Sequence, residues 1–477
     1  MAAAVAVRTR RLESGRVGHV GPRRLIGPAV PPPPRAKRPR LEQLEKEKAL
    51  ELRKKHVAPS LGLHYAAVKP IKVAYGRGQY LYDEWDEPYL DCINNVTHVG
   101  HCHPKVVAAG VEQMSKLVHS PGTKMADSYT QQLLSTFPDN MGHVFYVTSG
   151  TEANDLALMI AETVTGHSEI IVIDGAYHGH SKPLVGLSSY KMKEKDDSGI
   201  SPNPHAWIAS NPDPFRGKYA DPATAGTQYA GEVKEMIDSM EKEGKKLACY
   251  VCESFPGCAG QVKLPEGYFK AVFDHVHRAG GLCVIDEVQT GFGRGGEFFW
   301  IFQSQGVKPD IVTVGKPMGN GHPIAAVVTT KEIARDFLAK RPDLQNEYKG
   351  NLVSLAVAEA VLRVVEEEGL VAHARELGGY ILSQLSLMAN KHPCIGDVRG
   401  YGLFIGVELT EGAGSKAPNG KLAKDVVAKM LLRDKIMVMQ DGLDNNVLKI
   451  KPPMCFTRAN ADSLLQSLDA VLTDLTQ

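Results

Sequence analysis

Two apolar runs end on residues that can do chemistry. Leu282-Cys283-Val284-Ile285 leads into Asp286-Glu287 and then the turn Val288-Gln289-Thr290-Gly291-Phe292-Gly293-Arg294. Ile311-Val312-Thr313-Val314 leads into Gly315-Lys316-Pro317-Met318-Gly319-Asn320-Gly321. In open parallel sheets, ligands collect outside the carboxyl ends of the strands, so an acid and a lysine placed there face a cleft. Desolvation at such a strand end makes a lysine amine nucleophilic. Taken singly, Asp286 also reads as a helix cap and Lys316 as a solvated loop charge.

A third strand end, Val147-Thr148-Ser149-Gly150-Thr151-Glu152-Ala153-Asn154, opens a helix. Backbone N–H groups at a helix N-terminus, with the hydroxyls of Ser149 and Thr151, make an anion site. A fourth, Gly175-Ala176-Tyr177-His178-Gly179-His180, supplies an aromatic that can stack on a planar ring. Lysine, acid, phosphate cradle and stacking aromatic together meet the needs of pyridoxal phosphate. That cofactor takes a lysine on its aldehyde carbon and an acid that keeps its pyridine nitrogen protonated.

These residues need a scaffold of strands. Val144–Thr148, Ile170–Ile173, Leu247–Cys252, Leu282–Ile285 and Ile311–Val314 are short, β-branched and apolar on both faces, with helical stretches between them. That alternation predicts an α/β fold with a mostly parallel sheet covered by helices on both faces. Tyr80–Asp83 and Pro88–Asp91 read as two strands around a turn. Helical periodicity fills 351–392, and Val398–Leu409 with Val447–Pro452 predicts a small α+β unit built from both chain ends. The expected domains are a basic leader and linker helix (1–50), the first part of the small domain (51–110), a large cofactor-binding domain (111–345), and C-terminal helices with the rest of the small domain (346–477).

Composition excludes several classes. The 477 residues are 43% hydrophobic and 23% charged, with a net charge of +1. Residues 1–40 hold ten Lys/Arg and one acid, which leaves 45 bases against 53 acids in the body. A body of that sign is a poor nucleic-acid ligand. No apolar run nears the ~18 residues of a membrane helix. Eight scattered cysteines make no disulfide framework and suit a reducing compartment. Cys249 and Cys252 read as strand residues rather than half a zinc site, and His98, His101 and His103 lack the spacing of metal ligands, so no metal is expected. The arginine-rich, acid-poor leader matches a mitochondrial (matrix) transit peptide. Its Arg35-Ala36-Lys37-Arg38-Pro39-Arg40 also resembles a nuclear-import patch, and a solvated leader in a cytoplasmic protein remains the alternative. Residues 41–56 alternate Glu and Lys at helical spacing.

The motifs Ser-Gly-Thr-Glu-Ala-Asn, Ala-Tyr-His-Gly, Ile-Asp-Glu-Val-Gln-Thr-Gly-Phe-Gly-Arg and the lysine loop resemble those of the class III pyridoxal-phosphate aminotransferases, of fold type I, from about residue 50 to the C-terminus. Asp91–Pro104, Gly315–Pro323 and Val447–Phe456 are most similar to the phospho-lyase members of that family. The resemblance implies that Lys316 holds the cofactor and moves the proton, while Asp286 pairs with the ring nitrogen. Val288 and Tyr177 would sandwich the ring, Gln289 would reach its phenolic oxygen, and Gly150 and Thr151 would bind its phosphate. His178 and Glu253 would support the pocket. Arg399, Asn95 and Lys124 would meet the substrate. Cys258 stands where several of these aminotransferases carry a gating glutamate, which implies an Arg399 left unpaired and free for an anion.

The implied activity is elimination of phosphate and ammonia from an amino-phosphate such as ethanolamine phosphate, giving an aldehyde. The alternative is an ω-aminotransferase passing an amino group to glyoxylate or pyruvate. A third reading comes from Asn346-Glu347-Tyr348-Lys349-Gly350-Asn351-Leu352, where Glu347 replaces a phosphate-binding threonine; an acid beside a dianion implies a weakened cofactor site in a non-catalytic relative. The family also implies a homodimer.

Overall fold

A computed structural model describes residues 46–58, 68, 70–118, 124–190, 201–344 and 348–476. The Glu/Lys-rich stretch forms the helix Lys46–His56. From His56 onward the chain is one compact unit.

Its centre is a seven-stranded sheet. The spatial order is Met141–Val147, Ala325–Thr330, Ile311–Val314, Leu282–Asp286, Leu247–Glu253, Glu169–Ile173, Ala206–Ala209. Alternation along each strand sends side chains to two covered faces. Tyr250 and Cys252 enter one core with Phe269, Trp300 and Ile285. Cys249 and Val251 enter the other with Leu156, Ile160 and Val284. All neighbouring strands run parallel except Ala325–Thr330, which is antiparallel to both of its neighbours. That strand and Ala206–Ala209 were not anticipated from the sequence.

The parallel register sets the site. Glu253 lies opposite Asp286, and Asp286 opposite Thr313, so three strands finish side by side. The helix Gly150–Thr165 buries Ala153, Leu156, Ala157, Ile160 and Ala161, an i, i+3/i+4 stripe that fixes it on the sheet.

Both chain ends meet in smaller sheets. Tyr80–Asp83 and Pro88–Asp91 pair antiparallel as expected, and Pro88–Asp91 then takes Ile436–Met437 as a parallel neighbour. A second sheet orders Ile395–Tyr401, Phe404–Leu409, Val447–Ile450 and Met439–Asp441. One apolar core joins Leu90, Val99 and Val106 to Val361, Ile381, Ile405, Ile450 and Leu468. Residues 351–392 form two helices, Leu352–Glu367 and Leu370–Lys391, separated by Gly369 at a φ of 62°. No helix among the described residues is long and apolar enough to cross a membrane.

Candidate active site

Five parallel strands end on one edge of the sheet, and each delivers one of the expected groups. Asp286 closes its strand and is buried. Its Oδ2 accepts from Asn154 Nδ2 at 2.7 Å and faces His178 Nδ1 at 2.9 Å, while its Oδ1 accepts from the backbone N–H of Val288 at 2.9 Å. Asn154 is itself fixed, donating to the carbonyl of His178 at 2.8 Å and accepting from Thr313 Oγ1 at 2.7 Å. Burial, the largest influence on the His178 imidazole, pulls its pKa down, but the hydrogen bond and charge of Asp286, with Glu253, outweigh it and raise it.

Lys316 leaves the strand Ile311–Val314 through Gly315 into a one-turn 3₁₀ helix, where it is half-buried. Gly315, Val288 and Gly150 come together. A Cβ on Gly150 would lie 2.5 Å from Val288 Cγ1, and one on Gly315 would lie 3.1 Å from the same methyl. The phosphate loop and the lysine turn therefore pack together against one methyl of Val288, with a Cβ on Gly315 only 3.6 Å from Gly150 Cα, and glycines leave that room.

At the helix start, Ser149 Oγ accepts from the Glu152 N–H at 3.2 Å, and the Glu152 carboxylate turns back to the N–H and hydroxyl of Thr148, both at 2.7 Å. Ser149 is thus spent on capping, while first-turn N–H groups of Gly150 and Thr151 have no partner within the helix. Thr151 Oγ1 packs on Gly179, where a Cβ would lie 2.9 Å away. Tyr177 is half-buried, with its N–H donating to Glu253 Oε1 at 3.1 Å. Glu253 Oε2 accepts from the Gly257 N–H at 2.8 Å, and Gln289 Nε2 would lie 2.5 Å from a Cβ on Gly257. Burial raises the Glu253 carboxyl.

Asp286, His178, Val288, Gln289, Lys316, Gly150, Thr151, Tyr177 and Glu253 are thereby brought to one edge. The residues fit pyridoxal phosphate on two independent observations. A buried carboxylate is held by three neighbours, and a glycine-lined cradle opens beside the first-turn N–H groups of a 16-residue helix.

The expectation of an unpaired Arg399 is overturned. Its Nε donates to the carbonyls of Gly260 and Gln261 at 3.1 and 3.0 Å, and its NH2 to Gly260 at 2.7 Å. NH1 meets Asp397 Oδ2 at 2.7 Å and Glu408 Oε2 at 2.6 Å. Losing a glutamate at Cys258 does not free the guanidinium, because Asp397 on its own strand and Glu408 on the neighbouring strand both meet it. Asn95 is buried and donates to the Gln289 carbonyl at 3.2 Å. Lys124 opens the helix Lys124–Leu134, but its side chain and all of Glu347 lie outside the described residues. The three neighbouring histidines do not converge: His98 meets the Phe292 carbonyl, His101 the Asp91 carboxylate and His103 that of Glu368.

Asn154 has no role evident from the motif alone; its signal in the sequence is a polar residue on the otherwise apolar buried stripe of the helix Gly150–Thr165. Lys449 and Lys451, both buried near Lys316, were also left without a role.

A sequence profile of the class III aminotransferases matches residues 64–472. An alanine–glyoxylate aminotransferase 2-like protein of Drosophila melanogaster is 44% identical over 91% of this chain and 89% of its own. Ethanolamine-phosphate phospho-lyase homolog 1 of Caenorhabditis elegans is 42% identical over 90% and 94%. Alanine–glyoxylate aminotransferase 2 homolog 2 of Arabidopsis thaliana, named as mitochondrial, is 37% identical over 88% and 86%. Among solved structures, a phospholyase from Arthrobacter in complex with phosphoethanolamine superposes with a TM-score of 0.83 at 36% identity, covering 89% of this chain and 99% of that one.

Proposed function

The chain belongs to the class III aminotransferase family, and on that premise we propose that it is a pyridoxal-phosphate-dependent phospho-lyase acting on an amino-phosphate such as ethanolamine phosphate. Bound pyridoxal phosphate supplies an electron sink for bonds to the amine-bearing carbon. Lys316 would hold it, and its Nζ would take the proton from that carbon. Asp286, aimed by Asn154, His178 and the Val288 N–H, would pair with the ring nitrogen. Val288 and Tyr177 would bracket the ring, Gln289 would reach its phenolic oxygen, and Gly150 and Thr151 would receive its phosphate. The carbon–oxygen bond to the substrate phosphate breaks with the electron pair leaving on phosphate. Water then hydrolyses the nitrogen-bearing product to ammonia and an aldehyde.

One observation carries the choice between lyase and aminotransferase. An amino-acid donor or keto-acid acceptor presents a carboxylate that wants a bidentate arginine. Arg399 already spends all three of its nitrogens on Asp397, Glu408 and two carbonyls. A substrate without a carboxylate fits this site better. The aminotransferase names of the Drosophila and Arabidopsis relatives support the second reading, transfer to glyoxylate or pyruvate.

Incubation of the reconstituted protein with ethanolamine phosphate, without any keto acid, separates the two. Equal amounts of phosphate, ammonia and acetaldehyde are expected. Amino transfer that requires glyoxylate and releases no phosphate would overturn the reading.

The helix Pro104–Lys116 exposes Val107, Val111 and Met114 at i, i+4 and i+7, followed by Leu117 and Val118. A contiguous apolar stripe of this kind suits a second copy of the chain, and light scattering tests it, with the mass of a dimer expected. The arginine-rich residues 1–40 suit a mitochondrial address, which a fusion of that segment to a fluorescent protein tests.

A further inference from the structure

Lys449 sits in the buried strand Val447–Ile450, and Lys451 follows directly after its end. Only 2% and 8% of their surfaces are exposed. Lys449 is neutralised by the Asp441 carboxylate, also buried. Among the described residues, Lys451 has no such acid against it. Its Nζ donates to Asn95 Oδ1 at 2.9 Å, and Asn95 in turn donates to the carbonyl of Gln289, three residues beyond Asp286. A buried ammonium held by a neutral amide is costly unless an anion joins it.

The groups around this amine fix what that anion is. Burial lowers Lys451 well below an ordinary lysine, and the charges of Lys449, Lys316 and Arg294 push the same way, with Asp441 alone opposing. Lys316 and Lys449 also act on the half-buried thiol of Cys258, which burial lifts to about 12. Lys316, Lys449, Lys451 and Cys258 therefore lie within electrostatic reach of one another, and of the three lysines only Lys449 has a carboxylate in contact among the described residues. A monoanion would leave the cluster electropositive; a phosphate dianion is the better match.

We infer that Lys451, positioned by Asn95 and flanked by Lys449, is the receptor for the phosphate group of the substrate, on the side of the pocket that Lys316 faces. The inference rests on the phospho-lyase reading and deepens it. Burial disfavours the charged form of this amine, so an entering dianion favours its protonation. Asn95 acts through Lys451 and is a positioning residue.

Two readouts test it. In Lys451→Met, KM for ethanolamine phosphate is expected to rise roughly 10- to 100-fold, the loss of a charge-assisted hydrogen bond, with the bound-cofactor absorbance unchanged. Asn95→Asp gives Lys451 a competing carboxylate of the same size, so KM rises there too even if the methionine variant folds poorly. An unchanged KM in a folded variant overturns the inference. Calorimetric titration of the wild-type protein with inorganic phosphate in buffers of different ionisation heat covers the case in which no phosphate is released from substrate. Binding with proton uptake, lost in Lys451→Met, supports the receptor while the lyase reading fails. Binding that survives in Lys451→Met, or no binding, overturns the receptor itself.

Discussion

His178 Nδ1 and Asp286 Oδ2 lie 2.9 Å apart, both buried, at the ends of two segments that are separate in sequence. The pair does more than fill space. With Asn154 and the Val288 N–H it aims a carboxylate outward from a strand end, and the parallel register places Thr313, which holds Asn154, beside Asp286. A carboxylate held this way is aimed at the point where a protonated ring nitrogen would sit.

Asp286→Asn preserves size and most contacts but removes the charge. It is expected to lower kcat by roughly 100- to 1,000-fold, the usual cost of losing one aimed electrostatic group. Steady-state kinetics on protein with its cofactor absorbance verified checks this; a loss below tenfold would mean that the carboxylate is structural.

Arg399 is expected to matter for stability rather than for substrate. Arg399→Met would strand Asp397 and strip the buried Glu408 of its Oε2 partner, leaving only Arg216 and Asn446 on Oε1. Breaking a buried pair on one side costs about 3–5 kcal/mol. Chemical denaturation should show that loss, while KM for ethanolamine phosphate in the folded fraction stays within twofold. A large KM rise with unchanged stability would return Arg399 to the substrate.

Glu287 gives a pH signature. Burial, the dominant influence, lifts its carboxyl to about 7, against the hydrogen bonds from Ser254, Thr290 and the Phe302 N–H. Its folded pKa lies above the unfolded value near 4.3, so the folded state binds the extra proton between the two. The stability it contributes is present at low pH and lost as pH rises through about 7. Relative to Glu287→Gln, wild type should therefore lose up to about 3 kcal/mol between pH 5 and pH 8. A difference that stays flat with pH would show that the carboxyl titrates normally.

The strand ends were legible because the physics is local. A run apolar on both faces must be a covered strand, and the glycines after it must be a turn that something approaches. Gly150, flanked by Val288, is where that reading is most literal. Direction was not legible: nothing in Ala-Ala-Val-Val-Thr-Thr says that Ala325–Thr330 runs against its neighbours. Pairing was not legible either. Arg399 was read against one absent acid at Cys258, while its actual partners come from its own strand, from the neighbouring strand and from the carbonyls of 260–261. Lys451 lay in a stretch quoted only for its resemblance. Its isolation depends on Asn95, 356 residues away, which no window of sequence contains.

The central claim is that the strand-end lysine at 316 and its acid form a working cofactor site. Borohydride reduction of the protein after incubation with pyridoxal phosphate, followed by peptide mapping, tests it most directly. The expected result is a visible absorbance band before reduction and a single label on Lys316. Absence of the band, or label spread over surface lysines, would contradict the account and leave a non-catalytic relative in its place.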